Sequence, residues 1–402
     1  MFERLEPVAT DSILTLMAAF RADPDPHKVD LGIGVYRDER GTTPVLKAVR
    51  RAESTLLAEQ TTKTYVGPEG DAGFNQALTR LVLGATHPAL TAGRVRTIQA
   101  PGGCGALRLG AELIRAAAPD AIVHVSTPTW ANHVPLLSGA GLQLERYPYF
   151  DPTTGGVQFE AMMAALERLP ERAVVLLHAS CHNPTGADLS PAQWREVLAL
   201  VKRRGVLPFI DMAYQGLGDG VDEDALAVRL FCAELPEVLC AVSCSKNFGI
   251  YRERTGALHL CSATPKAADA GLSHLVRLGR GLWSMPPDHG AAIVRGILTD
   301  ASLLELWTDE VTAMRQRIGR LRREVVQHLK RHCPQRDFSF IARQRGMFSF
   351  FGINTEQVRA LRERHHVYMT DDSRMNVAGL REENLEYFAR AVADVLGGTA
   401  RG

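Results

Sequence analysis

The segment AVVLLHASCHNPTGADLSPAQWREVLALVKRRGVLPFIDMAYQG, residues 173–216, decides the fold. Two apolar runs, 173–177 and 206–210, flank a stretch long enough to form a crossover helix, and within each run neighbouring positions are apolar instead of alternating. A strand apolar on both faces must be covered on both faces, so the pair predicts parallel strands of a helix-flanked sheet. Runs at 121–125, 238–242 and 257–260, and another ending near Gln99, repeat the theme. No repeat of fixed period and no low-complexity segment interrupts it. The reading is one large α/β domain around a mostly parallel sheet.

On the N-terminal side, Ile13, Leu14, Met17 and Phe20 recur at helical spacing behind a Thr10-Asp11-Ser12 cap. An extended piece is expected over 28–36, a turn at Arg40-Gly41 and a helix over 44–59. On the C-terminal side, Leu303, Leu306, Val311, Met314, Ile318, Leu321, Val325 and Leu329 predict one long helix over about 301–333, able to link two domains. Beyond it, strand-like pieces at 338–341 and 347–351 alternate with helical stretches, as in a smaller α+β unit. The expected division is therefore a large domain of 44–313 and a small one of 1–43 with 314–402.

At 402 residues, 46% hydrophobic and 23% charged, the composition argues against disorder, fibres and small disulfide scaffolds. The balance of 46 basic and 45 acidic residues supplies no field for a nucleic-acid backbone or an anionic membrane. Seven cysteines, an odd number without a C-x-x-C pair, read as reduced thiols in a reducing compartment. The first thirty residues lack the basic-then-apolar pattern of a secretory signal, and no apolar run reaches the ~18 residues of a membrane span. A cytoplasmic protein is expected.

In open parallel sheets ligands bind where strands end at their carboxyl termini. Pro101-Gly-Gly-Cys-Gly-Ala-Leu107 follows the first run and leads into a helix, which suits either a phosphate seat or a plain tight turn. The glycine spacing is not a dinucleotide fingerprint, because Arg108 stands where a third glycine is needed. Trp130 follows the next run and could stack on a planar ligand or fill core. His178 and His182 are four apart, but on a strand and loop that spacing does not place them on one face, which disfavours a metal pair. Asn183 precedes a proline and is held extended. Asp211 follows its strand as a partly desolvated carboxylate or a helix cap, and Lys246, with Arg252 and Arg254 nearby, is either an activated amine or a surface lysine. Taken together these residues meet the needs of pyridoxal 5'-phosphate: a lysine for the aldehyde, an anion seat, a carboxylate for the ring nitrogen and donors for the phenolic oxygen.

The chain resembles the fold-type I aspartate and aromatic-amino-acid aminotransferases from Phe2 to about Leu396. Leu31-Gly-Ile-Gly-Val-Tyr36, Tyr65-Val-Gly67, the glycine turn, Cys181-His-Asn-Pro-Thr-Gly186, Asp211-Met-Ala-Tyr-Gln-Gly216, Ser243-Cys-Ser-Lys-Asn-Phe-Gly249, Trp283-Ser-Met-Pro-Pro287 and Arg374-Met-Asn-Val-Ala-Gly379 carry the likeness. It implies that Lys246 binds the cofactor aldehyde and then serves as general base. Asp211 would pair with the ring nitrogen, and Asn183 and Tyr214 with the phenolic oxygen. Gly103, Cys104, Ser243 and Arg254 would hold the phosphate, with Tyr65 reaching it from the other subunit of a homodimer. Trp130 would stack on the ring, and His133 and His178 would sit behind Asp211. Arg374, assisted by Gly34, Asn183 and Trp130, would take the substrate's α-carboxylate, and Arg280 the distal carboxylate of aspartate, glutamate or 2-oxoglutarate across the dimer.

Four positions depart from the strict aspartate pattern. Arg37, Thr64 and Met285 stand where the family has lysine and two asparagines, and Cys104 replaces a hydroxyl residue. Met285 cannot pin Arg280 as an amide would, which leaves room for aromatic donors beside aspartate. The competing readings are a strict aspartate aminotransferase and, on the same fold, a pyridoxal-dependent lyase or decarboxylase. A regulator built on such a domain is disfavoured, because no DNA-reading module precedes it here.

Overall fold

The computed structural model describes residues 1–7 and 12–397, so the expected Thr10-Asp11 cap lies outside the described residues. The chain divides into two compact units, one of residues 44–316 with 344–346, the other of residues 1–43, 317–343 and 347–402.

The larger unit is built on seven strands: β1 (Val95–Pro101), β2 (Ile122–Thr127), β3 (Gln143–Pro148), β4 (Val174–His178), β5 (Leu207–Met212), β6 (Val238–Ser243) and β7 (Thr255–Cys261). Their order is β1-β7-β6-β5-β4-β2-β3, parallel throughout except for β7, which runs antiparallel to both neighbours. Strand β4 is buried at all five positions, the double-sided coverage that its sequence demands. Strand β3 carries no such run, because as an edge strand most of its side chains meet solvent.

The crossover between β4 and β5 is the helix Pro191–Arg204. Ser190 and Gln193 form a capping box at its start, and Gly205 closes it in the left-handed conformation, φ 64°, after Lys202, Arg203 and Arg204. Helix Gly102–Ala117 lies close on the sheet because Gly110 has no Cβ, an atom that would sit 2.5 Å from Phe209. Helix Lys47–Glu59 receives its N-terminal cap from a distant residue: the Glu310 carboxylate accepts from the amides of Lys47 at 2.7 Å and Ala48 at 3.0 Å.

In the smaller unit Leu321, Val325 and Leu329, on the far half of the helix Ala301–His332, join Phe351, Val358, Leu361 and Phe388 in one core. Two short pairings complete it: Val29–Asp30 runs parallel to Val367–Tyr368, and Phe348–Phe350 antiparallel to Arg374–Asn376. Two local expectations are corrected. The piece at 338–341 is not a strand, because the Asp337 carboxylate accepts from the Ser339 amide at 2.7 Å and turns the chain into helix Phe340–Arg343. Of 28–36, only Val29–Asp30 is a strand, because the Asp30 carboxylate takes the Gly32 amide at 3.0 Å and bends the chain.

Candidate active site

The parallel register brings His178 beside Asp211, and Asp211 beside Ala241, at the carboxyl ends of β4, β5 and β6. Asp211 is buried and would be costly to ionise alone. Burial pushes its carboxyl up, but the hydrogen bond from His133 and the nearby charge of Lys246 prevail and hold it below the ordinary carboxylate value. His133 Nε2 lies 3.0 Å from Asp211 Oδ2. An ionised carboxylate only accepts, so His133 donates from Nε2 and its Nδ1 accepts from the Thr129 hydroxyl at 2.8 Å. The Thr129 oxygen in turn accepts from His178 Nε2 at 3.2 Å. Burial depresses His178 to about 3, so His178 is neutral.

The His178 and His182 rings are 4.1 Å apart, and Tyr149 stacks on His182 at 4.1 Å and 15°. The spacing alone does not bring the two rings together; Cys181, with φ 53°, does so by turning the chain back on itself between them. His182 is engaged by Ser126 at 3.0 Å and Thr185 at 2.9 Å, within a hydrogen-bonded ladder. Ser126, Thr129 and Tyr149 were not singled out from sequence. Only Thr129, one helical turn ahead of His133, carried a spacing signal.

Lys246 sits in the loop after β6. Trp307 Nε1 donates to the Asn247 carbonyl at 2.9 Å and stacks on Phe248 at 4.6 Å, while Gly249, φ 66°, lets the loop close back on the Lys246 carbonyl. Lys246 keeps some surface open, and its Nζ lies 4.9 Å from the Tyr214 ring centroid. Desolvation lowers its amine below the ordinary lysine value; Asp211 and Cys104 oppose this, and Arg254 adds to it. The Asn183 amide reaches Tyr214 Oη at 3.4 Å, and its buried Oδ1 has no hydrogen-bond partner.

The turn after β1 leaves a space suited to an anion. Helix Gly102–Ala117 starts at Pro101, which offers no side-chain cap, so its first amides are unclaimed by a side chain. A Cβ on Gly103 would stand 3.0 Å from the Ser243 Cβ, and one on Gly102, φ 71°, 2.8 Å from Arg254 Nη2. Only glycine leaves this space between the helix start, the serine and the guanidinium. Cys104, half-buried, lies 3.7 Å from Asn132 Nδ2, and Trp130 meets His133 edge-on at 5.2 Å.

Tyr65 and Arg280 are exposed and share a surface cavity of about 360 Å³ with Gly67, Pro68, Ser284 and Met285. None of the Lys246 group lines it. The Met285 sulfur accepts from the Val66 amide at 3.1 Å. In the smaller unit, buried Arg374 donates to the Gly32 carbonyl at 2.7 Å and lies over Phe348 at 4.7 Å. The same ring covers Gly34, where a Cβ would approach it to 2.8 Å. Arg37 pairs with Asp30.

The aminotransferase class I and II family model matches residues 26–392. The chain is 49% identical over 394 residues to an aromatic-amino-acid aminotransferase of Pseudomonas aeruginosa, covering 98% of each protein. It is 42% identical to an aspartate aminotransferase of Haemophilus influenzae, covering 98% of this chain and all of the relative. A crystal structure of an aromatic-amino-acid aminotransferase from Burkholderia pseudomallei, covalently bound to pyridoxal phosphate, matches with a TM-score of 0.96 at 44% identity, covering 98% of this chain and 99% of that one. The chain belongs to the class I and II aminotransferases.

The aminotransferase's residues fit pyridoxal phosphate. An amine with depressed basicity, an ionised carboxylate on a buried strand end, an amide and a hydroxyl converging 3.4 Å apart, and glycine-cleared helix amides beside a guanidinium match the aldehyde, ring nitrogen, phenolic oxygen and phosphate in turn.

Proposed function

We propose that this aminotransferase exchanges amino groups between aromatic amino acids or aspartate and 2-oxoglutarate, acting as a homodimer. The observation that carries the reading is the desolvated Lys246 amine, 4.9 Å from the Tyr214 ring and subject to the charges of both Asp211 and Arg254. When bound, pyridoxal phosphate supplies an electron sink for the substrate's α-carbon. Lys246 would be the point of attachment, and its Nζ would take the substrate's α-proton. Asp211 keeps a proton on the ring nitrogen, and His133 and Thr129 keep Asp211 ionised and oriented. Asn183 and Tyr214 hold the phenolic oxygen; Gly103, Cys104, Ser243 and Arg254 hold the phosphate; Trp130 covers the ring.

Arg374 serves as the bidentate partner of the α-carboxylate, with Gly34 beside it. Arg280 and Tyr65 are given to the neighbouring subunit's site, which is why a dimer is proposed: both are exposed on one opening that lacks every residue of their own chain's Lys246 group. Met285 lines the same opening and offers Arg280 no amide, supporting aromatic donors beside dicarboxylates. A cytoplasmic location is supported by seven cysteines that all remain free thiols.

The test is a half-reaction panel: purified holoenzyme is mixed with aspartate, glutamate, tyrosine or phenylalanine and the cofactor's absorbance followed. Aromatic donors should react with kcat/KM within roughly tenfold of aspartate. Values several orders lower would return the reading to a strict aspartate enzyme, and absence of stoichiometric keto acid would favour a lyase.

A further inference from the structure

At the opposite end of the sheet from Lys246, two thiols meet under an arginine. Because β7 is antiparallel, Gly256 pairs with Ser243 at the cofactor end while Cys261 pairs with Val238 at the far end. Five residues separate these pairings along β6, roughly 17 Å of strand. Cys261 closes β7, and Cys232 lies in the helix Leu226–Glu234. Cys261 Sγ donates to the Cys232 carbonyl at 3.8 Å, and the two side chains are near enough to shift one another's acidity. Arg94 pins the corner: Nε donates to the Ser262 carbonyl at 2.7 Å, and Nη2 reaches the Leu235 carbonyl at 2.6 Å and Cys261 Sγ at 3.4 Å. Both thiols are buried, at 1% and 3% exposure, and the chain next to them reaches the surface at Pro236, Glu237 and Ala263.

We propose that Cys232 and Cys261 are a site of reversible disulfide formation driven by hydroperoxides, with Cys261 the attacking thiol and Cys232 the resolving one. A guanidinium in contact with one sulfur of a pair is the arrangement that favours its thiolate. The Cys232 side chain, reinforced by Arg94, holds Cys261 below the ordinary thiol value, whereas the Cys261 side chain and burial push Cys232 up. Burial likewise raises Cys240, Cys244 and Cys333. The Cys261 thiolate attacks a peroxide oxygen; the S–O bond forms, the O–O bond breaks, and the hydroxide or alkoxide that leaves takes up the proton Cys261 gave up on ionising, departing as water or an alcohol. The Cys232 sulfur then attacks Cys261, the S–S bond forms, the S–O bond breaks, and the departing hydroxide takes the Cys232 proton as water. Two electrons pass from the thiols to the peroxide. The site requires no cofactor and stands independently of the proposed transamination.

Holoenzyme is treated with graded hydrogen peroxide, alkylated and mapped as peptides without reduction. The expected result is a linkage between the Cys232 and Cys261 peptides, lost on dithiothreitol treatment, that forms before the other thiols are oxidised. Transaminase activity should change by less than about twofold, since the pair is remote from Lys246. Arg94→Gln should slow linkage by about tenfold or more, whereas Arg94→Lys, which keeps a cation, should retain much of the rate. Cys232→Ser should stop at a sulfenic acid on Cys261 that dimedone captures. Separate alkylation of both cysteines after Cys104 has been oxidised would overturn the proposal, as would equal linkage rates in the native and Arg94→Gln proteins. If a variant does not fold, the order of oxidation of the native thiols decides alone.

Discussion

The Lys246–Asp211 cluster and the Tyr65–Arg280 opening belong to the same unit of this aminotransferase, yet they are built on opposite principles. In the first, the polar groups are desolvated, and Asp211, His133, Thr129 and His178 form a chain in which each donor has a defined acceptor. In the second, Arg280 and Tyr65 stand in solvent around a cavity whose other walls are a methionine, a serine, a glycine and a proline. The buried cluster fixes protonation states and hence the chemistry. The open rim fixes little by itself, so in the proposed function substrate choice would fall to whatever orders Arg280.

The largest expected effect tests the buried side. Lys246→Ala should lower kcat by at least about 10³-fold while the circular dichroism of the fold is unchanged. Acid should expose the neutrality of the histidine ladder. His178 titrates near 3 when folded and near 6.5 when unfolded, so its contribution is fully present above pH 6.5 and is lost as pH falls toward 3, at roughly 1.4 kcal/mol per pH unit between those values. Urea midpoints from pH 7 to 4 measure this; His178→Asn should lose less over that range than the native protein, and parallel curves would contradict it. Asp211→Ala should lower kcat by roughly 10²-fold with the fold retained.

Smaller effects sharpen the rim. Arg280→Ala should lower kcat/KM for aspartate by about 10–100-fold, the value of a charge-assisted hydrogen-bonded pair, while phenylalanine changes by less than about threefold. Met285→Asn should raise the aspartate-to-phenylalanine ratio of kcat/KM by about 3–10-fold. Equal effects on both donors in either variant would mean that the rim does not discriminate between them.

What could be read from sequence follows the same division. The doubly buried strands announced themselves because their burial forces apolar runs, and strand ends then placed Asp211, Ser243 and Lys246 at one edge. Edge strand β3 escaped because solvent-facing positions carry no such signature. The contact between His178 and His182 escaped because it depends on one left-handed residue, Cys181, whose φ of 53° no side-chain pattern encodes. The segment at 338–341 misled because its alternating aromatics imitate a strand, while Asp337, a residue earlier, turns the chain. The glycine turn was ambiguous until the space beside Ser243 and Arg254 explained why glycines occupy it.

The central claim is that the Lys246 amine binds the cofactor. Holoenzyme reduced with borohydride, digested and weighed peptide by peptide should carry a pyridoxyl phosphate adduct on Lys246. Its attachment to another lysine, or to none in a protein that retains bound cofactor, would contradict the account.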